Sequence, residues 1–246
     1  MFQYVLRMGD NALVLAQRLC AWTGHGPVLE EDIALANISL DLFGQARSLL
    51  TYAGELEGAG RTEDDLAMKR DILDFTNVLL VEQDNGDFGQ TIARQYLFDA
   101  FHLRLLEGLV AGSNDEKLRA IAAKSVKEVR YHRTHSRDWL VRLGDGTEES
   151  HRRMQQGLEA VWRFAGDMLT PDAVDHAALE AGYGVDLEAL AEAWYAEIDE
   201  TLAEATLERP VDGFQTGGKA GRHGEGLGYL LAEMQFLPRA YPDAQW

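Results

Sequence analysis

The segment from Asp87 to Leu143 limits this chain more than any other, because it sets ionisable side chains inside the apolar stripes of two long helices. Gly112-Ser113-Asn114 separates the two. The first stripe runs Ile92, Tyr96, Asp99, Leu103, Leu106 and Val110, a 4-3-4-3-4 spacing that stacks these residues on one helical face. Asp99 therefore takes a core position, and His102, three residues on, reaches the same region. The second stripe runs Leu118, Ile121, Ser125, Glu128, His132, Ser136, Trp139 and Leu143. A carboxylate in a core is costly unless it is protonated, paired or bound to a metal. A chain written this way predicts an all-α bundle with a polar centre, and no alternating run is long enough to suggest a sheet.

The flanking segments extend the same pattern. Asp10 or Asn11 predicts the cap of a helix carrying Leu13, Leu15, Leu19 and Trp22. Glu30 and Glu31 open a long helix with Leu35, Ile38, Leu42, Ala46, Leu49, Ala53 and Leu56 inward, and Asp41 one residue off that stripe. A third helix is predicted over 63–81, where Asp71 and Asp74 share a face with Ala67, Val78 and Val81. Further helices are expected after Thr147, over 172–181, over 186–207 and over 225–237. Residues 1–246 read as one all-α domain with additional C-terminal helices, broken only at 210–228. There glycines surround a basic cluster containing Lys219 and Arg222, and such a loop either has a use or is mobile.

Charge narrows the function. Against 23 basic residues stand 41 acidic ones, a formal charge of -18 that repels nucleic acid and anionic membranes from most of the surface. The single cysteine, Cys20, rules out an internal disulfide framework, and Leu19, Ala21 and Trp22 around it predict a buried thiol. No apolar run approaches a membrane span, and the N-terminus has no signal-peptide pattern, so a cytoplasmic location is expected.

A four-helix bundle can hold two metal ions when one helix of each pair supplies a carboxylate and the other a Glu-x-x-His, all inward. Here Asp41 and Asp99 would be the single acids, with Asp71/Asp74 and Val129/His132 at the paired positions. The second motif lacks its carboxylate, because Glu128 lies four residues from His132 and Val129 stands where the acid belongs. The first has no histidine. The favoured reading is a buried hydrogen-bonded network of Asp99, Glu128 and His132, joined by Asp41, that fills the place of the metals. Loss of one member is then expected to cost about 1 to 3 kcal/mol. His135 reads as a boundary residue.

The runs Met8-Gly9-Asp10-Asn11-Ala12-Leu13 and Ala36-Asn37-Ile38-Ser39-Leu40-Asp41-Leu42-Phe43-Gly44-Gln45 resemble the C subunits of the ring-1,2-phenylacetyl-CoA epoxidases. The similarity continues through Leu79-Leu80-Val81-Glu82-Gln83, Thr91-Ile92-Ala93-Arg94-Gln95-Tyr96, Trp162-Arg163-Phe164, Thr216-Gly217-Gly218-Lys219 and Leu231-Ala232-Glu233-Met234-Gln235. That resemblance implies a ferritin-like fold and a non-catalytic, structural role in a monooxygenase complex of phenylacetate degradation. It implies no cofactor in this chain. A homologous catalytic A subunit would carry the di-iron site and bind most of the phenylacetyl-CoA. Further small subunits and a reductase with FAD, an iron–sulfur centre and NADPH would complete the complex. Tyr52, Tyr96, Phe98 and Phe101 are candidate anchors for the partner, and Lys219 and Arg222 are candidate contacts for coenzyme A phosphates or for the partner. The alternatives are a self-sufficient di-iron carboxylate oxygenase and a metal-free helical scaffold of other function.

Overall fold

The structure, a computed structural model, describes residues 1–242. Among them are ten α-helices, joined at three places by short 3-10 turns, and no strand. Helices α1 (Phe2–Cys20) and α2 (Leu29–Glu57) form one hairpin, and α4 (Phe88–Gly112) and α5 (Glu116–Gly144) form a second. The two hairpins meet to make the four-helix core of a ferritin-like bundle. The short α3 (Glu63–Met68) lies on α2. Helix α6 (Glu148–Trp162) crosses α4 and α5, and α9 (Leu187–Glu204) covers the other flank of α4. Two short helices, α7 (Gly166–Leu169) and α8 (Ala173–Glu180), lead into α9, and α10 (Glu225–Ala240) closes over α3. One apolar cluster draws residues from all ten helices, with Trp162 and Trp194 among its largest fully buried members.

Local chemistry explains most boundaries. Asp87 accepts from the Gln90 amide at the start of α4, and Asp115 accepts from the Leu118 amide at the start of α5. Asp172 and Asp186 do the same for α8 and α9, while Thr62 and Thr147 cap α3 and α6. Each removes an orphan donor that the helix itself cannot satisfy.

Four sequence expectations are corrected here. Helix α1 starts at Phe2, so Asp10 and Asn11 are buried helix-interior residues and cap nothing. Asp10 is held by an ion pair with Arg70 and accepts from the Thr76 amide and hydroxyl, and the Asn11 amide oxygen takes the Val78 N–H. These contacts to α1 explain the second correction: the helix expected over 63–81 stops at Met68, and the chain continues as 3-10 turns at Ile72–Asp74 and Leu79–Glu82. Long-range polar partners outcompete the helical ladder there. Third, Cys20 is exposed, with its Sγ 3.2 Å from the Ser39 hydroxyl. Fourth, Tyr52, Tyr96, Phe98 and Phe101 are all buried in the core, and none can anchor a partner.

Candidate functional site

The bundle centre is built from α2, α4 and α5. On α5 the buried residues are Leu118, Ala122, Ser125, Val129, His132, Ser136, Leu140 and Gly144, so the stripe is rotated from the one expected. Val129 points inward and Glu128 sits at the flank. On α4 the same region receives Gln95, Asp99 and His102, three and four residues apart.

Asp99 has no exposure to solvent. Its Oδ1 accepts from Gln95 Nε2 at 2.8 Å, and its Oδ2 lies 2.8 Å from Ser136 Oγ. Burial raises the Asp99 pKa to about 8, and the bonds from Ser136 and Gln95 only partly offset that. The group is thus held mainly as a neutral acid at pH 7. In that form its proton can be donated to Ser136 Oγ, which in turn donates to the His132 carbonyl 2.9 Å away.

His132 is fully buried, and its Nε2 lies 3.0 Å from Oδ2 of the half-buried Asp41. Burial lowers the His132 pKa, and the Asp41 contact opposes this. Buried His102 is pushed further, to about 3, by desolvation with a smaller contribution from His132, and it packs against the Phe98 ring at 5.1 Å. Both imidazoles are neutral at pH 7. Four buried atoms around this centre have no partner among the described residues: His102 Nδ1, His132 Nδ1, Gln45 Oε1 and Gln95 Oε1.

The Asp41–His132 contact is one rung of a polar seam between α2 and α5, which run antiparallel. His135 meets Glu31 at 2.8 Å, Gln45 Nε2 donates to Glu128 Oε2 at 3.0 Å, and Tyr52 Oη donates to Asp115 at 2.8 Å. Of the expected network, Asp41 bonds the His132 ring, while Asp99 reaches only the His132 backbone carbonyl, through the Ser136 hydroxyl. Glu128 lies beside them and bonds to Gln45. Asp71 and Asp74 do not belong to it. They are exposed, they cap a 3-10 turn reciprocally, and Asp71 pairs with Arg239 at 2.9 Å. Their turn lies outside the four-helix core because Arg70 is drawn to Asp10.

The donor set does not fit a dinuclear metal centre. Asp99 is satisfied by two neutral donors, Asp41 turns to His132, and Val129 supplies a methyl face where a bridging carboxylate is required. Among the described residues no three His, Cys, Asp or Glu side chains converge as metal ligands.

The glycine-rich segment is likewise pinned. Asp167 accepts from the Gly217 and Gly218 amides, both at 2.8 Å, and a Cβ at Gly218 would stand 2.3 Å from the Asn77 carbonyl oxygen. Lys219, expected to reach outward, is corrected: its Nζ is buried on Asp175 at 2.6 Å and the Thr170 carbonyl at 2.8 Å. Arg7 meets Asp172 and Asp175 beside it. Arg222 alone of the two stays exposed. Sequence reasoning missed the Asp10–Arg70, Asp175–Lys219 and Glu82–His223 pairs. For Asp10 a signal existed, because the residues from Tyr4 to Leu19 form a near-continuous helical pattern around it.

Fold and site together define a ferritin-like bundle with a hydrogen-bonded polar centre among α2, α4 and α5. The chain belongs to the phenylacetic acid catabolic protein family, whose profile matches residues 1–246. It is 53% identical over 244 residues to the C subunit of the 1,2-phenylacetyl-CoA epoxidase of Escherichia coli (strain K12), a match covering 99% of this chain and 98% of that protein.

Proposed function

We propose that this chain is the non-catalytic, structural subunit of a cytoplasmic multicomponent phenylacetyl-CoA epoxidase. The observation that carries the reading is the polar centre itself. The carboxylates that would have to bind iron, Asp99 and Asp41, already meet Gln95, Ser136 and His132, and the inward Val129 offers no replacement. The identity with the C subunit of an epoxidase over almost the whole chain supports the assignment to such a complex. Oxygen chemistry then belongs to a homologous catalytic A subunit with its di-iron centre, fed with electrons from NADPH by a reductase carrying FAD and an iron–sulfur centre. This chain contributes a rigid bundle, with the α2–α5 seam and the pinned glycine-rich segment holding its outer surface in one shape. None of the chain's acids is assigned a chemical step.

The test is elemental analysis of the purified chain together with reconstitution. We expect iron near zero per chain, and a complex rebuilt with Asp99→Asn or Asp41→Asn that turns over within about twofold of the unmodified complex. Roughly two irons per chain, or a loss of about a hundredfold in kcat with the complex intact, would overturn the structural role.

A further inference from the structure

A cleft of about 480 Å³ opens between the 79–83 turn, Phe164 at the end of α6 and the 215–224 segment. Its floor is apolar, from Leu79 and Phe164. Arg222 stands on its wall, exposed, with no carboxylate within 4 Å and no side-chain hydrogen bond among the described residues. In a chain of net charge -18 most arginines meet an acid, and this guanidinium does not. Arg163, also without a carboxylate partner, lies over the Phe164 ring at 4.8 Å and adds a second positive charge beside the cleft.

The one acid in the wall, Glu82, is already engaged. It accepts from His223 Nδ1 at 2.7 Å, from the Gly224 amide at 2.7 Å and from Asn77 Nδ2 at 2.9 Å. His223 Nε2 lies 2.8 Å from the Phe75 carbonyl, so both ring nitrogens face acceptors and the ring is best satisfied as an imidazolium. The Glu82 charge is met inside the protein, and that of Arg222 is not. Gly217, at φ 138°, leaves its α-carbon bare beside the Arg222 side chain, where a Cβ would come within 3.0 Å of Nε. The side chains of Gln215 and Thr216, also in the wall, make no hydrogen bond among the described residues and leave further donors toward the cleft. Convergent donors over an apolar floor are the composition of a small-molecule site.

We infer that this cleft binds the anionic group of a small organic molecule, a phosphate or a carboxylate paired with Arg222 while the carbon body rests on Phe164 and Leu79. The inference concerns this chain's own residues and does not depend on its assembly with other subunits. Adenosine bisphosphate and phenylacetate, the phosphate and carboxylate probes, are to be titrated separately into the full chain by calorimetry. Binding of either probe supports the site and assigns the anion. Arg222→Ala is expected to weaken it by about tenfold or more, with partial recovery in Arg222→Lys, because a bidentate guanidinium contact is replaced by a point charge. Arg222 is exposed, so its loss leaves folding intact, and an unchanged circular dichroism melt checks this. Failure of both probes at about 5 mM, or equal affinity in Arg222→Ala, would overturn the inference.

Discussion

Asp99→Asn should stabilise this protein at neutral and alkaline pH. An asparagine retains the local bonding: its Oδ1 accepts from Gln95 Nε2, and its Nδ2 donates to Ser136 Oγ as the protonated acid does. What it removes is the cost of ionising a group with no solvent exposure. The Asp99 pKa is raised to about 8, against roughly 3.9 in the unfolded chain. Between those values the folded state binds more protons than the unfolded one, so the contribution of Asp99 to stability is complete below about pH 4 and falls as pH rises. At roughly 1.4 kcal/mol per pH unit, the loss is about 4 kcal/mol at pH 7 and approaches 5 to 6 kcal/mol above pH 8, an upper bound that local relaxation reduces. The measurement is urea unfolding of both proteins at several pH values from about 5 to 8. Subtracting the two profiles cancels every other titrating group. The difference should grow in favour of the variant with a slope near 1.4 kcal/mol per pH unit. Parallel profiles, or a variant less stable than the parent at pH 8, would refute the argument and restore the sequence-based expectation that any loss at this centre destabilises.

Other perturbations follow the same physics. His102, held near 3 by burial against roughly 6.5 when unfolded, contributes fully above about pH 6.5 and loses stability as pH falls; His102→Leu should therefore gain about 2 kcal/mol on the parent at pH 5, read by urea midpoints at pH 7 and pH 5. Asp10→Asn strips the counter-charge from buried Arg70 and should cost about 3 to 5 kcal/mol, while Asp10→Asn combined with Arg70→Met should recover part of that in the same assay. Asp167→Ala orphans the amides of Gly217 and Gly218, and limited proteolysis should then cut within 213–224 at least about tenfold faster than in the parent. A His223→Gln variant, which cannot carry the imidazolium, should open the same segment to protease. The parent should show a parallel increase as pH rises through the His223 value, which burial pulls down and its two acceptors more than restore, leaving it raised.

The amino-acid sequence by itself determined the helical character and most helix limits, because 3.6-residue periodicity and capping residues act over a few positions. The helices expected near Asp87, Thr147, Asp172 and Asp186 are all capped by those residues. It also marked Asp99 and His132 as core positions, since an ionisable residue within an apolar stripe needs no tertiary information to be seen. The missing carboxylate beside His132 was equally legible, and the inward Val129 is its structural counterpart. Tertiary structure alone decided what those groups bond to. A helical stripe defines a face to within about one residue, so Glu128 and Val129 could not be told apart until the tilt of α5 against α2 and α4 set which of them points inward. The same limit hid the partners of Asp10, Lys219 and His223, which lie 60, 44 and 141 residues away along the chain. Helix propensity favoured a long third helix through Asp71 and Asp74, whereas buried charges on α1 had to be neutralised, and a buried ion outweighs the few tenths of a kcal/mol that propensity contributes per residue.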